Sequence, residues 1–224
     1  MGMMRLVTLV FPPRLTASAG AIRAAAQQRG LATVQLPTFA VPAGLTAEHV
    51  HAGPGFADAV AGKLGIALLE APMDWLARLP RPLVRRRVEA VPISRAWQLR
   101  SPAFIKSPND KSIKAMIYSD GTRLPGSDAV DADTVVLVSD LIDLSSEYRL
   151  FVLDGQIHAA SQYAENGRLH IADAPADALA FGMELLAEVG ASLPSAVVID
   201  IGDTADGWAV IEANAAWASG LLPG

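Results

Sequence analysis

Short apolar runs, each closed by a turn former, organise the first part of the chain. Arg5–Phe11 is an apolar run ended by Pro12-Pro13 and reads as a buried strand. Thr16 or Ser18 can cap a helix that continues to Gln28, and Gly30 stops it. Ala32–Leu36 is then a second strand, so the order is strand, helix, strand: a small Rossmann-like β-α-β lobe. The TASAGA turn between strand and helix resembles a phosphate loop but lacks the glycine spacing of the nucleotide fingerprints, and it reads as capping. Residues 37–54 form a loop with proline and glycine. Phe56–Leu69 and Pro72–Val88 predict helices, the second interrupted by Pro80 and Pro82.

Near residue 100 the pattern changes from helical periods to strands. Ala103–Lys106, Lys114–Tyr118, Val135–Val138, Glu147–Leu153 and Gln156–Tyr163 each carry a strand pattern, and Asp154-Gly155 is a two-residue hairpin signal. Asp177–Gly190 predicts an amphipathic helix, and an acidic hairpin closes the chain. The fold class is therefore an α/β lobe followed by an α+β lobe, with domains at 1–100 and 101–224.

Composition narrows the function classes. Half of the 224 residues are apolar, which places the chain among folded globular proteins. Cysteine is absent, which removes disulfides, thiolate zinc sites and cysteine nucleophiles. The opening apolar run is too short for a signal peptide, and Leu6 stands where a myristoylation signal wants Ser or Thr. No apolar stretch approaches the ~18 residues of a membrane helix. The expectation is a cytoplasmic protein with no membrane partner. The net charge of −5 is uneven: Arg78 to Lys114 holds ten Lys/Arg against Glu89 and Asp110, a net +8 that leaves −13 for the rest. Such a stretch is either a solvated basic helix and linker or an anion site, and the acidic remainder argues against nucleic acid.

Three segments carry chemistry. In VVIDIGDTADGWAVIEANAAWASG, a three-residue loop at Ala205-Asp206-Gly207 sets Asp200 opposite Glu212 and Val198 opposite Asn214, all on one face. Two carboxylates so placed repel unless one is protonated, a Lys or Arg lies between them, or they hold a metal. The Asp, Glu and Asn oxygens suit magnesium, with manganese as an alternative. In PAFIKSPNDKSIKAMIY, Lys106 ends a strand, and Lys111 and Lys114 follow in a polar turn; such lysines can neutralise phosphate oxygens as point charges. In VLVSDLIDLSSEYRLFVLDG, the segment Ser139-Asp140-Leu141-Ile142 can offer backbone groups to an adenine edge and apolar side chains to its ring. Glu147 and Arg149 share a face of the next strand, where they could serve ribose hydroxyls and a phosphate, or simply form a cross-strand ion pair. His49 and His51 form an H-x-H without an evident third ligand and read as a solvated loop. Ser219-Gly220 could present backbone N–H groups to an anion, and Trp217 reads as packing.

In this order the three segments resemble the ATP-grasp superfamily, nearest to a compact bacterial and phage-associated branch, over Phe104 to Gly220. The resemblance implies a nucleotide held between two α+β lobes. Lys106 would approach the α/β-phosphates, Ser139 to Ile142 would form the adenine hinge, and Glu147 would take the ribose. Asp200, Glu212 and Asn214 would bind magnesium, and Arg149 would steady the transferred phosphoryl group. The implied reaction is ADP-forming ligation of a carboxylate to an amine through an acyl-phosphate, with ATP and Mg2+ as cofactors and amino acids, peptides or small metabolites as substrates. A small-molecule kinase and a non-catalytic ATP-binding protein are the alternatives on the same scaffold, and a homodimer is the candidate assembly. Many members carry a glycine-rich lid after the strand lysine; here that turn is SPNDKSIK, so Lys111 or Lys114 would cover the phosphates. The usual earlier phosphate lysine has no match, and Arg87, Arg95 and Arg100 are the substitutes available.

Overall fold

The computed structural model describes residues 7–220. They form two compact units, one running up to Leu69 and resuming at Ala215, the other spanning Glu70–Asn214. This division falls earlier in the chain than the change of pattern near residue 100.

In the first unit, β1 (Thr8–Phe11) pairs in parallel with β2 (Ala32–Gln35) and β3 (His49–Val50), in the order β2-β1-β3. Arg5 and Leu6, the start of the expected first strand, lie outside the described residues. Helix α1 (Ala17–Gln28) starts at Thr16, whose hydroxyl accepts from the Ala19 N–H at 3.1 Å, and Gly30 follows its end at φ 76°. Helix α2 (Pro54–Leu64) begins with proline in its first turn and stops at Gly65 in the left-handed region, short of the expected Leu69. The strand β3 lies inside the expected loop; two residues are too few to show a period. Val10, Leu36, Val50, Phe56 and Val60 make the core, and Trp217 packs against it.

In the second unit the expected helix over Pro72–Val88 is three elements. Proline divides α3 (Trp75–Arg78) from α4 (Arg81–Val84), and Val88 opens a strand, β4 (Val88–Pro92). A short helix α5 (Ile93–Ala96) follows. Strands β5 (Ala103–Lys106), β6 (Met116–Tyr118) and β7 (Val135–Ser139) join β4 in an antiparallel sheet of order β4-β7-β5-β6. A five-stranded antiparallel sheet follows from β8 (Ser146–Leu153), β9 (Gln156–Glu165), β10 (Arg168–Asp173), β11 (Ala196–Thr204) and β12 (Gly207–Ala215), in the order β10-β9-β8-β11-β12. The turn between β8 and β9 is Asp154-Gly155, with φ 50° and 73°, as the hairpin signal requires.

Helix α6 (Ala176–Val189) covers the larger sheet. It approaches closely at Gly182, where a Cβ would stand 2.7 Å from Leu150 Cδ1 and 2.8 Å from Ile157 Cδ1. The buried β11 residues Val197, Ile199 and Ile201 share one core with Leu150, Leu185, Trp75, Leu76 and Leu83. Among the described residues no helix is long and apolar enough to cross a membrane.

Candidate functional site

Alternation along β11 turns Val197, Ile199 and Ile201 into this core, which sends Asp200 to the opposite face. There the ladder with β8 sets Asp200 opposite Arg149. The guanidinium grips the carboxylate through two parallel bonds, Nε to Oδ1 at 2.8 Å and Nη2 to Oδ2 at 2.7 Å. Asp200 is 1% exposed, so its charge has almost no water to solvate it. Burial pushes the Asp200 carboxyl up to about 6, while Arg149 opposes that rise and neighbouring Glu212 adds to it. The Arg149 guanidinium is shifted up by its hydrogen bonds to Asp200.

A second cation meets the other acid. Lys106, the last residue of β5, ion-pairs through Nζ with Oε2 of Glu212 on β12. Burial pushes the Glu212 carboxyl up, but Lys106 and then Asn214 outweigh it and hold the group below its ordinary value. Asn214 ties the two acids together: its amide nitrogen donates to Glu212 Oε1 at 2.8 Å and to Asp200 Oδ2 at 3.2 Å. The predicted shared face of Asp200, Glu212 and Asn214 is therefore present, although the turn is the two residues Ala205 and Asp206 and not the expected three, since Gly207 already belongs to β12. Each acid has its own counter-charge, Arg149 for Asp200 and Lys106 for Glu212, and the Asn214 amide joins the two carboxylates.

Glu147 stands two residues before Arg149 on β8, and its Oε2 accepts from the Tyr163 hydroxyl at 2.7 Å. The Tyr163 ring also lies under the Arg149 guanidinium, 5.6 Å from centroid to Cζ. Burial raises the Tyr163 hydroxyl pKa, with the Asp200 and Glu147 charges adding to it, so the phenol remains a donor. Tyr163 was not anticipated. The β8–β9 ladder slips once between Phe151 and Val152 and again between Glu147 and Tyr148, and the second slip leaves Tyr163 as the extra residue on β9.

The remaining expected residues are placed as follows. Ser139 is buried at the end of β7, while Leu141 is half exposed. The Asp140 N–H donates to the Arg87 carbonyl at 3.1 Å, and its carboxylate accepts from the Arg87 N–H at 3.0 Å, so this segment is bound to the residue just before β4. Lys111 and Lys114 are exposed on the loop after β5 and do not reach the cluster around Asp200. That glycine-free loop is cross-braced. The Ser107 hydroxyl accepts from the Ile113 N–H at 2.7 Å, Asp110 accepts from the Ser112 N–H at 2.8 Å, and Asn109 donates to the Ala71 carbonyl at 2.9 Å. A small pocket of about 10 Å3 beside Lys106 and Glu212 is lined by Trp75, Leu76, Asn109 and Leu137.

The basic stretch from Arg78 to Lys114 is not one anion patch. Buried Arg86 donates to the carbonyls of Val84 and Val210 at 2.9 Å, which fastens β12 to the segment after α4. Arg87 and Arg95 reach Glu89, Arg78 pairs with Asp74, and Arg100 donates to the carbonyls of Trp97 and Leu99. Among the described residues, only Lys106 of that stretch joins the cluster of acids described above.

No group of three His, Cys, Asp or Glu among the described residues is placed to hold a metal ion. Asp200, Glu212 and Asn214 carry the oxygen donor types that a hard cation accepts, but here the carboxylates are held by Arg149 and Lys106 and Asn214 turns its amide nitrogen to both acids.

Residues 83–223 match the model of an ATP-grasp domain family, the second family of its clade. None of the curated proteins matches the chain. Among solved structures, the RimK domain ATP-grasp protein of Sphaerobacter thermophilus is similar at 15% identity and a TM-score of 0.56, covering 92% of this chain and 90% of that one. The ATP-grasp ligase PsnB, in complex with a phosphomimetic variant of its minimal precursor, Mg and ADP, is similar at 14% identity and 0.54, covering 96% and 90%. D-alanyl-alanine synthetase A of Vibrio cholerae is similar at 11% identity and 0.58, covering 99% and 91%.

Proposed function

We propose, given that the chain belongs to this family of ATP-grasp domains, that it is an ATP- and Mg2+-dependent ligase joining a carboxylate to an amine. The γ-phosphoryl group of ATP passes to a carboxylate oxygen of the acid, giving an acyl-phosphate and ADP. The amine nitrogen then attacks the acyl carbon, loses a proton and expels inorganic phosphate, so that one C–N bond is made.

The observation that carries the reading is the pair of ion pairs, Lys106 with Glu212 and Arg149 with Asp200, bridged by Asn214. Each cation is already charge-balanced by an acid, and a phosphate chain arriving with its metal exchanges those partners without leaving net charge buried. Lys106 then serves as a point charge on the α/β-phosphates, and Arg149, with its fork geometry, steadies the transferred phosphoryl group. Asp200, Glu212 and the Asn214 carbonyl would hold magnesium, which when bound supplies neutralisation of the developing phosphate charge. Glu147, oriented by Tyr163, takes the ribose hydroxyls, and the segment from Ser139 to Ile142 takes the adenine. The PsnB complex with Mg, ADP and a precursor supports ATP, magnesium and a small-molecule or peptide acceptor as the ligand classes.

The test is mass spectrometry of reactions containing ATP, Mg2+ and pooled amino acids, peptides and small carboxylic acids. ADP, phosphate and a product lighter by one water than its two precursors are expected, with turnover lost in Glu212→Gln. AMP and pyrophosphate as products overturn the mechanism. A stable phosphorylated product needing no amine identifies a kinase instead.

A further inference from the structure

Strand β12 carries Glu212 and Asn214 and ends the order of the larger sheet, so no described strand pairs with its outer edge. An edge strand presents unpaired carbonyls. Here two consecutive arginines take them. Arg85 Nε donates to the Trp208 carbonyl at 3.3 Å. Arg86 donates from Nη1 to the Val210 carbonyl at 2.9 Å and from Nη2 to the Ile211 carbonyl at 3.3 Å. The clamp therefore stops at the residue before Glu212.

Both arginines stand against local preference. Arg86 is 8% exposed and has no ion-pair partner among the described residues, so its charge is buried against carbonyl dipoles alone. Arg85 ends α4 at φ 54°, in the left-handed region where glycine is usual. The glycine lies across from it instead: a Cβ on Gly207 would stand 3.3 Å from Arg85 Nη2. Covering a sheet edge requires neither a buried charge nor a left-handed arginine. A planar fork on the carbonyls of Val210 and Ile211 does more, because it fixes the direction in which the strand enters Glu212.

The cluster of acids depends on that direction. Asn214 Nδ2 reaches Asp200 Oδ2, on the neighbouring strand, at 3.2 Å, the upper end of the N–H···O range. A displacement of β12 by about 0.3 Å is enough to break that bond. The next arginine holds another part of the proposed nucleotide site. Arg87 exchanges two hydrogen bonds with Asp140, at 3.1 and 3.0 Å, and Asp140 belongs to the segment proposed for adenine. One stretch of three residues thus anchors both the strand of Glu212 and the Ser139–Ile142 segment.

We propose that Arg85 and Arg86 are positioning residues: by fixing the outer edge of β12 they hold Glu212 and Asn214 against Lys106 and Asp200. The positioning stands on these hydrogen bonds, and its bearing on nucleotide binding rests on the ligase reading.

The test is NMR of the asparagine side-chain amides in the full chain, combined with calorimetry of ATP binding. The chain has three asparagines, Asn109, Asn166 and Asn214, so asparagine-selective isotope labelling gives three signals. Asn109→Ser and Asn166→Gly assign Asn214 by elimination. Arg85→Gly suits the left-handed backbone and removes an exposed side chain, so its melting temperature should stay within about 3 °C. Hydrogen exchange at the Asn214 amide is nevertheless expected to quicken about threefold in Arg85→Gly and about tenfold in Arg86→Lys, which keeps the charge but loses the fork. Asn109, whose amide donates to the Ala71 carbonyl, should keep its rate. ATP binding should weaken about threefold and tenfold in the same two variants. Unchanged exchange at Asn214, or equal acceleration at Asn109 and Asn214, overturns the positioning role, and Arg85→Gly alone decides it should Arg86→Lys not fold. Faster exchange at Asn214 with ATP bound as tightly as by the wild type overturns its bearing on the nucleotide. A wild-type chain that binds no ATP removes the ligase reading and leaves the exchange result to decide the positioning, so the two failures are distinguishable.

Discussion

Arg149 and Asp200 face each other across β8 and β11, and the guanidinium donates to both carboxylate oxygens within 2.8 Å. The pair is stabilising only as a pair, because each charge sits where water barely reaches: the two side chains are 17% and 2% exposed. Arg149→Met leaves Asp200 without its counter-charge and is expected to cost about 3 kcal/mol at pH 7. Adding Asp200→Asn in the same chain should recover about 2 kcal/mol of that loss. Urea denaturation of the two single variants and the double variant measures the coupling, and additive effects would remove the pair from the stability of the fold.

Asp200 also sets a pH dependence in metal-free protein. Its carboxyl lies at about 6 in the folded chain, against 3.8 as the ordinary value. Between those values the folded state holds a proton that the unfolded chain has released, so stability falls as pH rises through this window, by ~3 kcal/mol in total. Glu212 acts in the opposite sense and at lower pH, since it is held below 4.5. His51, depressed by burial below 6.5, also acts in the opposite sense, its contribution rising with pH just below that value. The readout is therefore the difference between wild type and Asp200→Asn, which mimics the protonated acid. With a chelator present, that difference should hold its low-pH value below about pH 3 and shift toward the variant by ~3 kcal/mol by pH 7. Parallel curves would contradict it.

Much of this was legible in the chain because local chemistry decided it. Thr16 and Gly30 bound α1, Asp154-Gly155 makes the hairpin, and the spacing of Asp200, Glu212 and Asn214 puts them on one face. What was not legible depends on long-range placement. The helical pattern over Pro72–Val88 hides β4, since Val88 to Pro92 becomes a strand only by pairing with β7. Tyr163 reaches Glu147 through two register slips that no turn residue announces. The pairing of Lys106 with Glu212 joins side chains on different sheets, which no one-dimensional pattern encodes. The reach of the basic stretch was overestimated for the same reason: Arg86 is spent on the carbonyls of Val84 and Val210, a use visible only in three dimensions.

Lys106 competes with any cation for Glu212. Its side chain is 12% exposed and lies against the carboxylate that the proposed magnesium would need. Lys106→Met should accordingly have opposite effects on the two ligands. ATP binding should weaken about tenfold, through loss of a charge-assisted contact to phosphate. Binding of Mn2+, used as a probe for Mg2+, should tighten in the absence of nucleotide, because Glu212 is freed. Calorimetry with ATP and water-proton relaxation with Mn2+ separate the effects, and weakening of both would mean that Lys106 organises the acids instead of shielding them.

Tyr163 touches both functional neighbours on β8, and its two contacts are separable by substitution. The hydroxyl donates to Glu147 at 2.7 Å, and the ring supports Arg149 at 5.6 Å. Tyr163→Phe keeps the ring and removes only the donor. Glu147 then loses the bond that would orient it toward the ribose in the proposed site, so KM for ATP should rise about fivefold while kcat stays within about twofold. Tyr163→Leu removes the ring as well, which frees the guanidinium proposed to steady the transferred group, and kcat should fall about tenfold further. A merely structural tyrosine would lower the melting temperature in both variants and leave the division between KM and kcat unchanged. Steady-state kinetics at saturating acid and amine, alongside thermal unfolding, distinguish the two roles. The positioning role requires KM to move first, with Tyr163→Phe, and kcat to follow only when the ring is gone.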